Sequence, residues 1–414
     1  MYRITIAIIS SLILISCNGN DQNRKKNQIS ETMNRDSTEQ YGYNLDFLRK
    51  YVDVVELKKG NSALALVPSW QGRVMTSTSE GTSGFSFGWI NHGLISSGKT
   101  LPHINPFGGE ERLWLGPEGG QYSIFFKKDA EFIYENWQTP AFLDTLPFEV
   151  TGVTDSTVLF SHDVNIENYS GTILKLGIER EVALLSGDQI MKESGIDLKG
   201  LHFVGYRSEN KLTNKGTNEW KKDSGLLSIW MLGMFNPSAA VIVVIPFRQG
   251  DEKTLGVIVN DNYFGKIASD RLKVSGSNVF FRADGKSRGK IGIPPLRITG
   301  TMGSYDFDNN ILTLLICKLP EGKKEYVNSA WKIQDDPYSG DALNSYNDGP
   351  LEDGSQMGPF YELETSSPAA ALKPGESIIH SQVTIHLTGD KKLLNDAAFK
   401  SLGVSLDEIE KIFE

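Results

Sequence analysis

The run TILKLGIEREVALL, Thr172 to Leu185, decides the fold. Apolar side chains stand at alternate positions, Leu174, Leu176, Ile178, Val182 and Leu184, interrupted once by Arg180, with Lys175, Glu179 and Glu181 between them. A period of two belongs to an extended chain with one buried face, whereas a helix repeats every ~3.6 residues. The same pattern recurs outward in both directions: SALALVPSW (62–70), STVLFSHDVNI (156–166), AAVIVVIPF (239–247), TLGVIVNDNYF (254–264), NILTLLICKL (310–319) and SQVTIHLTG (381–389). Gly, Asn, Asp, Ser and Pro clusters separate these runs, as hairpin connections require. No long helical stretches alternate with them and no fixed-period repeat is visible, which disfavours a parallel βαβ sheet, a propeller or a solenoid. The expectation is an all-β chain, one large antiparallel β-sandwich over residues 41–414. A short helix opens it at NLDFLRKY (44–51), and another closes it at SLDEIEKIF (405–413), where Ser405 and Glu408 form a capping box.

Composition agrees with a globular body. Of 414 residues, 39% are hydrophobic and 22% charged, enough for one large β or α/β domain or two ordinary ones. Lys and Arg number 42 against 51 Asp and Glu, a net charge of −9, so no positive surplus exists to meet a phosphate backbone and nucleic acid is not an expected partner.

The amino end reads as a targeting device. Arg3 precedes the apolar run Ile4–Ile15, too short to span a bilayer as a helix, and LISC ends at Cys17. This resembles a bacterial lipobox, and the expectation is a signal peptide over 1–16, lipidation of Cys17, and a tether over 17–40 too poor in large apolar residues to fold. That places the body in the cell envelope, anchored to a membrane, the outer membrane being favoured because Asn18 follows the cysteine. Cys17 and Cys317 are the chain's two cysteines, so with Cys17 lipidated no disulfide is expected and Cys317 reads as a small buried apolar group.

Two stretches are chemically unlike the rest. The first is INPFGGEERLWLGPEGGQYSIFF, Ile104 to Phe126. If ERLWL is extended, Leu113 and Leu115 face the core with Glu111 leading them, and Arg112 and Trp114 share the opposite face. A guanidinium donates in-plane hydrogen bonds and an indole offers an apolar platform, a pairing suited to a sugar; a packed structural cation–π pair has the same residues. GPEGG after it reads as a turn.

The second stretch runs from Tyr326 to Ser377. It holds Asn328, Trp331 and Gln334, a long polar loop through Asp335, Asp336, Asp341, Asn344, Tyr346, Asn347 and Asp348, and then the strand-like FYELET (360–365). Loops of such length inside a domain carry function when they are ordered. Alternation puts Glu362 and Glu364 side by side on one face, where like charges raise a carboxyl pKa into the range useful for proton transfer; solvent-facing glutamates on an outer strand have the same spacing. The acidic run through Asp335, Asp336, Asp341, Asp348, Glu352 and Asp353 could offer oxygen ligands to structural calcium, but no calcium-loop spacing and no zinc motif is present, so no cofactor is expected.

Together, NPFGGEERLWLGPEGGQYSIFF, LTNKGTNEWKKDSGLLSIWMLGMF, GKIGIPP, YVNSAWKIQDDPYSGDALNSYNDGP and GPFYELETSSPAAALKPGES resemble a family of bacterial lipoproteins of unassigned function. That family is similar to the galactose mutarotase-like (aldose 1-epimerase-like) β-supersandwich group, through QGRVMTSTS, GGEERLW and the closing ELE and PGES motifs. The similarity covers about Tyr41 to the C-terminus. It implies a sandwich with a sugar site on one face, a glutamate near the C-terminal end as general base, matched by Glu364 with Glu362 as alternative, and a mid-chain histidine as acid. The segment that should carry that histidine reads SIWMLGMF (228–235) and has none. His103 is the best-placed substitute, with Glu110, Glu111 and Glu118 as other acids. Sugar contacts would come from Arg112, Trp114, Glu111, Glu118, Gln121, Asn328, Trp331, Asp341, Asn344, Tyr346, Asn347 and Asp348. The expected function is carbohydrate recognition by a lipid-anchored protein. An epimerase or mutarotase with Glu364 as base is the alternative, and a structural envelope protein a third reading. The residues carry no signal of oligomeric state.

Overall fold

The computed structural model describes residues 37–318 and 325–414; Cys17, the signal segment and nearly all of the expected tether lie outside them. Among the described residues the strands form three antiparallel sheets. The largest has ten strands, in the order Leu272–Ser275, Asn278–Arg282, Val241–Pro246, Thr301–Asp306, Ile311–Cys317, Ser377–Gly389, Leu201–Asn214, Ile173–Leu184, Thr157–Glu167 and Glu149–Val153. A five-stranded sheet follows the order Gly289–Ile293, Leu343–Asn347, Tyr361–Ser366, Ser228–Phe235 and Arg112–Gly116. The third is a meander of Val55–Lys59, Ser62–Val67 and Arg73–Thr78. The all-β antiparallel expectation is met.

Alternation along each strand decides what is buried where. In Val241–Pro246, Val241, Val243 and Ile245 pack with Leu343, Leu363, Ile291 and Ile293 of the five-stranded sheet. Ile242 and Val244 point the other way, into a second core with Leu394, Ala397, Leu402, Leu406 and Ile409 of the C-terminal helices. Such a strand is buried on both faces and reads as an unbroken apolar run. The final helix, Leu406–Lys411, begins with the expected capping box at Ser405 and Glu408. At the other end Gln40 bridges Phe85, and the helix Tyr41–Arg49 lays Tyr41, Leu45 and Leu48 on the small sheet against Ala63, Ala65 and Met75.

Two readings of the sequence need correction. TLGVIVNDNYF is not a strand: Asp251 caps a one-turn helix, Glu252–Leu255, Gly256 ends it at φ +79°, and of the remainder only Asn260 bridges, to Gly292. Conversely, the long polar loop contains the strand Leu343–Asn347, seated between Gly289–Ile293 and Tyr361–Ser366. Asn and Ser are poor strand formers by propensity, but pairing on both edges overrides that weak preference.

The space between the two large sheets is not wholly apolar. Glu111, at the head of the Arg112–Gly116 strand, meets Arg180 of the ten-stranded sheet at 2.6 Å with both side chains 0% exposed. Ser208 and Gln382 donate to its other oxygen, each at 3.0 Å. Burial pushes the Glu111 carboxyl pKa up, and the Arg180 charge works against that rise.

Candidate functional site

The five-stranded sheet turns its other face away from the ten-stranded one. Register places Gly292, Asn344, Glu364, Leu232 and Arg112 in one row across it, and Lys290, Tyr346, Glu362 and Met234 in the next. Residues two apart on a strand share a face, so Trp230 and Trp114, which are paired, join the same surface. Charged side chains therefore gather here from three strands that are far apart in sequence.

Arg112 Nη2 donates to Glu362 Oε1 at 2.6 Å, and its guanidinium lies 4.7 Å from the centre of the Trp114 ring. Glu364 is 0% exposed. Its Oε2 accepts from Trp230 Nε1 at 2.8 Å and from Lys290 Nζ at 2.9 Å, while its Oε1 is buried without a hydrogen-bond partner. The Lys290 ammonium also sits 4.7 Å over the Trp230 ring. Burial pushes the Glu362 carboxyl up to about 7; the Arg112 charge opposes the rise and the neighbouring Glu364 adds to it. A carboxyl poised there exchanges protons near neutral pH.

A third carboxylate lies at the far edge. Asp341 accepts from Asn260 at 2.8 and 2.9 Å and from the Tyr263 hydroxyl at 2.6 Å, and Asn344 Nδ2 reaches the same hydroxyl at 3.3 Å. Burial raises the pKa of both Asp341 and Tyr263. At the opposite edge, the loop after Gly116 is clasped to the loop after Tyr326. Gln121 Nε2 donates to Gln334 O at 2.8 Å, Gln334 N donates back to Gln121 Oε1 at 3.0 Å, and Glu118 N donates to Ser329 Oγ at 3.1 Å. A side chain at Gly119 would come within 2.5 Å of Ala330 O, so glycine is what lets the two backbones meet. The clasp holds half-buried Trp331 against Trp137 and Phe126, with ring centroids 5.9 and 5.1 Å apart.

The structure thus brings together Arg112, Trp114, Glu118, Trp331, Asp341, Asn344, Tyr346, Glu362 and Glu364, and sets others apart. Glu111 points into the sandwich interior, because it precedes Arg112 and alternation sends it to the opposite face. His103 Nδ1 is engaged with Trp137 O at 2.6 Å. Gln121 and Asn328 shape the clasp, the latter accepting from Ala330 N at 3.0 Å. Asn347 faces the interior and ties Gly285 N at 2.8 Å, and Asp348 is satisfied by Tyr346 and Gly358. Trp114, 4% exposed against Phe125 and Trp230, forms the floor rather than an open platform. Among the described residues no group of three or more His, Cys, Asp and Glu could hold a metal ion. Sequence reasoning missed Lys290, Trp230, Tyr263 and Asn260. Lys290 stands out only as a lysine in the otherwise apolar GKIGI, and Trp230 as the indole where a histidine was sought.

A model described as "Family of unknown function (DUF6786)" matches residues 39–413, and the chain belongs to that family. No curated protein matches it. Among solved structures it is similar to a protein from Synechocystis sp. PCC 6803, at 13% identity over 82% of this chain and 96% of that one, with a TM-score of 0.49. It is also similar to a galactose mutarotase-like protein from Lactobacillus casei ATCC 334, at 11% identity over 81% and 100% of the two chains, with a TM-score of 0.48. A galactose mutarotase related enzyme from Lactobacillus acidophilus gives 9% identity over 82% and 97%, with a TM-score of 0.43.

Proposed function

We propose that this member of the family is a carbohydrate-recognising envelope protein, held to a membrane through lipidated Cys17, whose five-stranded sheet binds a sugar on its outer face and exchanges protons with it. One observation carries the reading: Glu364 Oε1 is buried and meets no donor, beside a carboxylate that Arg112 holds. Leaving such an oxygen unsatisfied costs about 1–3 kcal/mol, and a ligand hydroxyl restores the bond. A sugar offers that hydroxyl together with an apolar C–H face, which the half-buried rings of Trp331 and Tyr263 are suited to cover. With Glu364 as base, the anomeric O–H gives up its proton, the ring oxygen takes one, and the C1–O5 bond opens and recloses to the other anomer.

Polarimetry of freshly dissolved α-D-glucose and α-D-galactose, with calorimetric binding of the same sugars, tests this. Wild type should accelerate mutarotation and Glu364→Gln should lose about 10²-fold or more of that rate. A wild type that neither binds nor turns over any hexose sinks the reading. The absence of histidine from Ser228–Phe235 favours a second reading, glycan binding without turnover, which expects binding by both proteins and turnover by neither. For the anchor, Cys17→Ser should remove the acyl mass in mass spectrometry and release the protein from the membrane fraction.

A further inference from the structure

The polar groups of the outer face are sealed from solvent. Arg112, Trp230, Asp341, Asn344 and Glu362 are 4–8% exposed and Glu364 0%, so a hexose reaches Glu364 only if part of the structure moves. Two segments flank the face. The clasp is one, and backbone atoms of both its loops hold it shut. The other is the stretch after Asn260, whose two roots are fixed. Before it, the Arg297 guanidinium donates to the carbonyls of Arg248, Gly250 and Gly256, and Asn260 exchanges two backbone hydrogen bonds of 2.8 Å with Gly292. After it, Arg271 grips Asp284 through both carboxylate oxygens. Among the described residues, no backbone hydrogen bond involves 261–267.

Side chains alone fasten this stretch to the sheet. The Tyr263 hydroxyl donates to Asp341 Oδ2 at 2.6 Å and accepts from Asn344 Nδ2 at 3.3 Å. Phe264, 49% exposed, lies 3.9 Å from the Arg288 guanidinium and edge-on to Tyr346 at 5.9 Å. Lys266 Nζ returns to Asp261 at 2.8 Å and closes the base of a short loop with Tyr263 and Phe264 at its tip. Asn344 is the register partner of Glu364, and Lys290 Nζ stands 5.8 Å from the Tyr263 ring and 2.9 Å from Glu364 Oε2. The tyrosine therefore lies over the Lys290–Glu364 pair.

We infer that residues 261–266 form a flap over the outer face and that the Tyr263 hydroxyl on Asp341 is its latch. The inference rests on the reading of this face as a ligand site. Opening breaks the two bonds of the Tyr263 hydroxyl and the contacts of Phe264. Asp341 keeps both bonds from Asn260, so its carboxylate is not stranded when the tyrosine leaves. Segments with few backbone hydrogen bonds open at the low end of a protein's range of local stabilities, and a flap of this kind gates entry and release alike.

The test uses full-length wild type and Tyr263→Phe, which keeps the ring and removes the latch. Without any sugar, acetylation of Lys290 by an N-hydroxysuccinimide ester, followed by peptide mass spectrometry, reads how often the flap is open. The variant should label Lys290 about tenfold faster or more, as loss of a hydrogen bond to a charged group implies, with exposed Lys222 unchanged. With D-glucose and D-galactose in stopped flow, association and dissociation should both quicken by about that factor. A Lys290 rate equal to that of wild type overturns the flap. A variant with faster dissociation and unchanged association overturns the latch, since Tyr263 would then be an ordinary ligand contact. A wild type that binds neither sugar, with Lys290 labelling still accelerated in the variant, sinks the sugar reading and upholds the flap. If Tyr263→Phe does not fold, Phe264→Ala releases the half-exposed side of the tip and should accelerate Lys290 labelling about threefold or more; no acceleration there overturns the inference.

Discussion

Glu111 and Arg112 are adjacent in sequence, and each makes a carboxylate–guanidinium contact of 2.6 Å, one on each face of the same strand. Glu111 meets Arg180 between the sheets, where Ser208 and Gln382 satisfy its second oxygen. Arg112 meets Glu362 on the outer face, beside Glu364 with an oxygen that nothing fills. The same ion pair therefore sits among satisfied acceptors in one place and beside an unsatisfied one in the other. The difference lies in the surrounding hydrogen-bond inventory rather than in the contact itself.

Breaking the interior pair should produce the largest loss. Arg180→Met strands Glu111 without its charge partner in a dry space, and urea unfolding should report a deficit of about 3–5 kcal/mol. Glu364→Gln shifts the balance: the amide oxygen still accepts from Trp230 but largely buried Lys290 loses its charge partner, so the stability loss should stay below about 3 kcal/mol while the mutarotation rate carries the larger effect. An Arg180→Met protein as stable as wild type, or a Glu364→Gln protein that unfolds, would break the comparison.

The outer pair should also leave a pH signature. Glu362 moves from an ordinary value of 4.5 to about 7 on folding, so the native state holds the proton more tightly than the unfolded chain. Its contribution is most favourable below the unfolded value and is lost as pH rises through the folded one. Stability should fall across that window with a slope of at most about 1.4 kcal/mol per pH unit from this group. In Glu362→Gln that part of the slope should vanish in urea titrations at pH 5, 6 and 7; an unchanged slope would show that Glu362 does not titrate there. Smallest is Trp114→Phe, which weakens the ring under Arg112 and should cost about 0.5–2 kcal/mol in the same assay.

How far the site could be read in advance depended on how local each signal was. Alternation alone put Arg112 and Trp114 on a shared face of their strand, and Glu362 and Glu364 on a shared face of theirs, because side-chain direction in a strand repeats every two residues. It could not see Leu343–Asn347 as a strand, since Asn344, Ser345 and Asn347 carry loop-like chemistry and gain strand geometry only from neighbours on both edges. Nor could it nominate Lys290, which lies 74 residues from Glu364 and reaches it across the intervening Leu343–Asn347 strand. TLGVIVNDNYF misled in the opposite sense: its β-branched run is overruled by the Asp251 cap and Gly256, which turn the chain so that Tyr263 can reach Asp341.

The sequence by itself determined that the chain is an antiparallel β protein closed by a capped helix, and which residues of each strand share a face, because periodicity and capping are properties of a few consecutive residues. Only the tertiary structure decided which carboxylates have every oxygen satisfied and which do not. Arg112 and Glu362 are 250 positions apart, and whether Glu364 keeps a free oxygen depends on what Trp230 and Lys290 already occupy. Burial and hydrogen-bond supply are set by neighbours in space, and those are fixed only when the strands have found their order in the sheet.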